Sequence, residues 1–175
     1  IEFTMSKLAF NSRLTLLILF VGPCASLAVS PWTNYDPINL VKLVFVTTCA
    51  FAAFGLLVST NLKATYQENR IMFNVAIGFV LWMCVCFFVS GSPLNQQFWG
   101  SFGRNTGFLT YFSLLLLLLS SQLIRNKEFY EKLVKSLIFT AIPMTLYCLI
   151  QVAGLDPVGW SEKHPFGTLG NINFS

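Results

Sequence analysis

Arg104 is the residue whose placement first suggests chemistry. It stands just ahead of Asn105-Thr106-Gly107, where an apolar run begins. A helix N-terminus is already partly positive, so an arginine there is electrostatically misplaced. The placement becomes useful when an anion sits between the guanidinium fork and the free helix-end amides, an arrangement that suits phosphate. The other reading is an arginine snorkelling to lipid headgroups. A second candidate is the run Gly167-Thr-Leu-Gly170-Asn171-Ile-Asn173. Its glycines permit backbone angles in which successive N–H groups form an anion-binding nest. Asn171 and Asn173 add amide donors and acceptors suited to sugar hydroxyls or phosphate oxygens. Lys163 and His164 lie just upstream; read blandly, the run is a polar surface turn.

Other chemistries lack their residues. There is no acidic pair for glycosidase work, no phosphate-binding GxxxxGK[ST] loop and no Ser-His-Asp set. His164 is the only histidine, which excludes a multi-histidine metal site within the chain. The five cysteines all fall in apolar runs, where they read as small hydrophobes, and Cys84-Val-Cys86 lacks a two-residue spacer. No metal, no cofactor and no residue in a catalytic role is assigned.

The elements that must position these residues follow from composition. Of 175 residues, 55% are apolar and only 10% charged, and the mean hydropathy is +0.67. A soluble domain carries about 25% charged residues. This chain therefore has lipid for part of its solvent. The net charge of +4 resides in short segments between apolar runs, which points to membrane orientation rather than to nucleic acid.

Five stretches approach the ~20 apolar residues that a helical span needs, at about 8–29, 38–59, 71–89, 107–123 and 133–152. Lipid cannot satisfy an open sheet edge, so the fold class is all-α, a polytopic membrane helix bundle of about five transmembrane helices. Asp36-Pro37 is expected to cap the second helix, and Ser92-Pro93 to do similar work after the third. Leu94, Phe98 and Phe102, four apart with Trp99 beside them, predict a short helix lying in the interface, or an aromatic belt. Glu128 with Lys132 and Glu131 with Lys135 predict ion pairs on a helix that starts in water, and Pro143 predicts a kink. Lys42 is expected to snorkel, and Thr47, Thr48, Asn74 and Gln151 to bond between helices.

Counting Lys and Arg orients the chain. A cytoplasmic N-terminus puts Lys7, Arg13, Lys63, Arg70, Arg125, Lys127, Lys132 and Lys135 inside and only Lys42, Arg104 and Lys163 outside. Residues 153–175 then begin an extracytoplasmic loop, on the same side as Arg104.

Three stretches taken together resemble the O-antigen ligase family. They are Gly91-Ser-Pro, then Phe98-Trp-Gly-Ser-Phe-Gly-Arg104-Asn-Thr-Gly-Phe-Leu-Thr-Tyr111, then Phe166-Gly-Thr-Leu-Gly-Asn-Ile-Asn-Phe174. That family also includes O-antigen polymerases and bacterial O-oligosaccharyltransferases. Arg104 matches the arginine of its first motif; Gly167, Gly170, Asn171 and Asn173 match its Gly-Asn loop, with Ile172 where the family has proline. The resemblance implies a multi-pass protein of the bacterial inner membrane. It implies transfer of a glycan from undecaprenyl pyrophosphate to a lipid, glycan or protein acceptor on the periplasmic side. Arg104 and the Gly-Asn loop would bind the diphosphate and glycan. The resemblance also implies an N-terminal part of such an enzyme, without the family's large arginine- and histidine-bearing loop and inactive alone. The alternative is a non-enzymatic small multi-pass membrane protein, such as a transporter subunit or assembly factor.

Overall fold

A computed structural model describes residues 2–30, 38–59, 62–101, 103–122, 124, 127–158 and 167–168. Among these residues the fold is all-helical, with no strand. The helices are α1 (Glu2–Leu27), α2 (Asn39–Val58), α3 (Leu62–Glu68), α4 (Arg70–Val89), α5 (Leu94–Trp99), α6 (Phe108–Ser121) and α7 (Lys127–Val152).

Among the described residues, three helical segments are long and apolar enough to cross a membrane: Asn39–Val58, Arg70–Val89 and Glu128–Val152. At about 1.5 Å per residue, a 20-residue helix matches a hydrocarbon core of about 30 Å. The apolar part of α1, Ser12–Leu27, and α6 are shorter. At its 14 residues, α6 spans about 21 Å. Among the described residues, α2 and α4 lie over the second and third expected spans, and α7 over the fifth, beginning earlier with a charged first part from Lys127 to Lys135.

α1, α2 and α6 pack against one another, with α7 against α1, α4 against α6, and α5 against α4 and α6. Small residues make the close approaches: Ala50 and Ala53 of α2 are fully buried. Ala53 packs with Leu14, Ile124 and Phe129, while Leu57, Ala76 and Leu119 form a second cluster. The buried hydroxyls of α6 are satisfied within their own helix. Ser113 and Ser120 donate to the carbonyls of Leu109 and Leu116, each at 2.7 Å. Ser113 Oγ also lies 3.2 Å from Thr47 Oγ1, an interhelical bond of the expected kind. Asn74 accepts one from Tyr66 of α3. Thr48, by contrast, bonds its own helix at Val44.

Large apolar side chains stay uncovered on the outer helices. Ile71 and Phe88 of α4 and Phe139 of α7 are at least three-quarters exposed, at 83%, 80% and 75%. In water such faces drive association; against acyl chains they are at rest.

Two local expectations are modified. Pro93 itself holds the cap position of α5, with no side-chain cap bond, so Ser92 does not cap it. Phe98 does not face lipid alone: its ring stacks on Phe108 of α6 at 6.3 Å. α7 runs as helix through Pro143. Of the two expected ion pairs, Glu128–Lys132 forms at 3.7 Å between exposed side chains, a geometry worth well under about 1 kcal/mol. Asp36-Pro37 lies outside the described residues.

Candidate functional site

The loop that carries Arg104 is closed by two glycines. A Cβ on Gly100 would sit 2.3 Å from the Thr106 nitrogen, and one on Gly107 would sit 2.3 Å from the Gly100 nitrogen. The two strands of the loop therefore touch backbone to backbone, which no side chain permits. Gly100 and Gly103 take φ of +92° and +78°, and Asn105 takes +50°. Inside the loop, the N–H groups of Arg104 and Asn105 donate to the Ser101 carbonyl at 3.1 and 3.0 Å. The Thr110 hydroxyl, from the first turn of α6, donates to the Asn105 carbonyl. Arg104 stands exposed on this fixed loop.

The second motif is described at Gly167 and Thr168, both buried. Gly167 has φ +56°, and a Cβ there would come within 2.7 Å of Cys148 Sγ on α7. Its N–H donates to Gln151 Oε1 at 2.8 Å. Gln151 Nε2 in turn donates to Asp156 Oδ2 at 2.9 Å. Asp156 also accepts the Tyr147 hydroxyl at 3.1 Å and the Val158 N–H at 2.9 Å. On the other side, Lys42 Nζ donates to the Thr168 carbonyl at 2.5 Å. Gly170, Asn171 and Asn173, together with Lys163 and His164, lie outside the described residues.

The first turn of α2 joins the two motifs. Asn39 Nδ2 donates to the Gly103 carbonyl at 2.6 Å, while Lys42, one turn further, holds Thr168. Arg104's loop and the Gly167 turn therefore share one end of the bundle. Asn39, Tyr147 and Asp156 were not singled out by sequence reasoning. The available signal was a polar Asn and Lys at i, i+3 heading an apolar helix, which marks one face. Lys42 bonds a loop carbonyl where snorkelling was expected, and Gln151 bonds loop groups rather than a neighbouring helix.

Beside the Arg104 loop, a cavity of about 660 Å³ opens between α4, α5 and α6. Phe79, Trp82, Met83 and Phe87 line its apolar part; Gln97 and Ser101 lie at its polar part. Gly100, Ser101, Thr106 and Gly107 form one wall, so the arginine loop is the rim of this groove. The aromatic file continues through Phe108, 5.8 Å from both Phe87 and Phe112. The shape suits an amphiphile with its chain among the rings and its head at the loop. Among the described residues, no group of three or more His, Cys, Asp and Glu side chains is placed to hold a metal ion.

No family model, curated protein or solved structure matches the chain.

Proposed function

We propose that this chain belongs to a glycosyl transferase of the O-antigen ligase type. It moves a glycan from undecaprenyl pyrophosphate to a lipid, glycan or protein acceptor at the periplasmic face of the bacterial inner membrane. In this reading α1, α2, α4, α6 and α7 cross the bilayer, with the N-terminus in the cytoplasm. The observation that carries it is the meeting of the Arg104 loop and the Gly167 turn at the head of α2, beside an aromatic groove.

The chemistry asks for such an arrangement. In glycosyl transfer the anomeric carbon loses its bond to the diphosphate oxygen and gains one to the acceptor oxygen. The electron pair stays on the diphosphate, and the acceptor proton passes to a base. Charge thus grows on the leaving group, and fixed donors aimed at it lower the barrier. Arg104 supplies a guanidinium fork on a loop whose glycine closure keeps it in place. The groove between α4 and α6 takes the prenyl chain, and the Gly-Asn loop shapes the polar mouth around the glycan.

The test is transfer by the full-length protein in cells. Arg104→Ala should reduce transfer by about a hundredfold or more, as expected when a transition-state donor is removed, with protein level unchanged. Arg104→Lys should recover only part, because a point charge replaces a fork. Undiminished transfer by Arg104→Ala removes Arg104 from the site.

A further inference from the structure

The Gly167–Thr168 turn is gripped from both sides, and the grip has a direction. Lys42 Nζ donates to the Thr168 carbonyl at 2.5 Å. The neighbouring Gly167 N–H donates to Gln151 Oε1 at 2.8 Å, and Gln151 Nε2 donates to Asp156 Oδ2 at 2.9 Å. From Lys42 to Asp156, every donor points the same way. The run begins on an ammonium and ends on a carboxylate.

The Thr168 carbonyl and the Gly167 N–H belong to different peptide groups, so the turn is held by two charge-anchored grips, the Lys42 ammonium on the carbonyl and the Asp156 carboxylate, through Gln151, on the N–H, and it stays closed only while both hold. The direction also fixes the Gln151 amide. Flipped, it would set its NH₂ against the Gly167 N–H and its oxygen against the Asp156 carboxylate. Asp156 is itself anchored by the Tyr147 hydroxyl and the Val158 N–H. Closure of the turn is opposed by the Thr168 hydroxyl, which is buried without a hydrogen-bond partner among the described residues. The turn needs a grip strong enough to outweigh that loss.

We infer that Lys42 and Asp156 form an electrostatic clamp that acts through the Gly167–Thr168 turn and holds it against the ends of α2 and α7. They are positioning residues, each holding one side of the turn, Lys42 directly and Asp156 through Gln151. Only the clamp's consequence for glycan transfer rests on the function proposed above.

The test therefore reads the turn and not transfer. Thr168→Cys is made in a cysteine-free full chain in native membranes and labelled with a small maleimide. Leu155→Cys, at a position 73% exposed, serves as the reference for fold and insertion. With Lys42 and Asp156 intact, Cys at 168 should be protected. Lys42→Met should raise its labelling rate about ten- to hundredfold, the scale of losing a charge-assisted hydrogen bond. Asp156→Asn, nearly isosteric, should do the same from the other end, and the double variant should add nothing further. Lys42→Arg should restore protection, which a purely steric role for the side chain does not predict. Continued protection in both single variants overturns the clamp. So does exposure in one variant without the other, or an additive double variant. If labelling follows the clamp while loss of the whole protein leaves glycan transfer in cells intact, the clamp stands and the transferase reading falls.

Discussion

Asn39 and Lys42 lie one turn apart at the head of α2 and hold two loops that are remote in sequence. Asn39 donates to the carbonyl of Gly103, and Lys42 to that of Thr168. One rigid helix end thereby sets the distance between the arginine loop and the glycine turn. Asn39→Leu should release the arginine loop alone. Its exposed bond is worth about 1 kcal/mol, so hydrogen exchange at the amides of residues 104–106 should quicken about two- to tenfold. Exchange at residue 168 should not change. Equal quickening at both loops would mean that α2 itself had frayed.

The glycine closure makes a steric prediction. Gly107 has an ordinary φ of −94°, so Gly107→Ala carries no dihedral strain and tests only the backbone contact with Gly100 and Phe98. It should lower the thermal midpoint in detergent and open the loop to protease. Gly78→Ala, in mid-helix with nothing within 4 Å of the added carbon, should be tolerated. Equal tolerance at both positions would show that the loop does not close as described.

The Ser113–Thr47 bond should contribute little. Hydrogen bonds between membrane helices average about 0.6 kcal/mol, and Ser113 keeps its bond to Leu109 whatever Thr47 does. A double-mutant cycle with Ser113→Ala and Thr47→Val should give a coupling near that value. A coupling above about 2 kcal/mol would make this contact, rather than the buried alanines, the main tie between α2 and α6.

The groove can be probed with a native residue. Cys86 is exposed and lines the cavity beside the Arg104 loop. A polyprenyl diphosphate in the groove should slow its alkylation, and a water-soluble diphosphate without the chain should not. An unchanged rate with the prenyl compound would place the chain elsewhere.

How legible this was in the sequence differs by element. The segments α2, α4 and α7 could be read directly, because about 20 apolar residues bounded by polar ones admit one form in lipid. Arg104 and the Gly167 run could be singled out by residue type and spacing. Their meeting could not, because it depends on bonds from Asn39 and Lys42 to carbonyls 64 and 126 residues away. A backbone carbonyl leaves no mark in the sequence, so Lys42 read as a snorkelling side chain. Phe98 read as an interfacial residue for a similar reason: its stacking partner Phe108 lies across a loop whose closure rests on Gly100 and Gly107.

The arginine loop and the glycine turn must face the same compartment for one site to use both. Ser101→Cys and Leu155→Cys, both exposed, flank that end of the bundle, and Lys63→Cys, also exposed, marks the other. In a cysteine-free background, an impermeant maleimide applied to the extracytoplasmic side of intact cells should label positions 101 and 155. Position 63 should react only after permeabilisation. Labelling of 101 and 155 from opposite sides of the membrane would contradict the account.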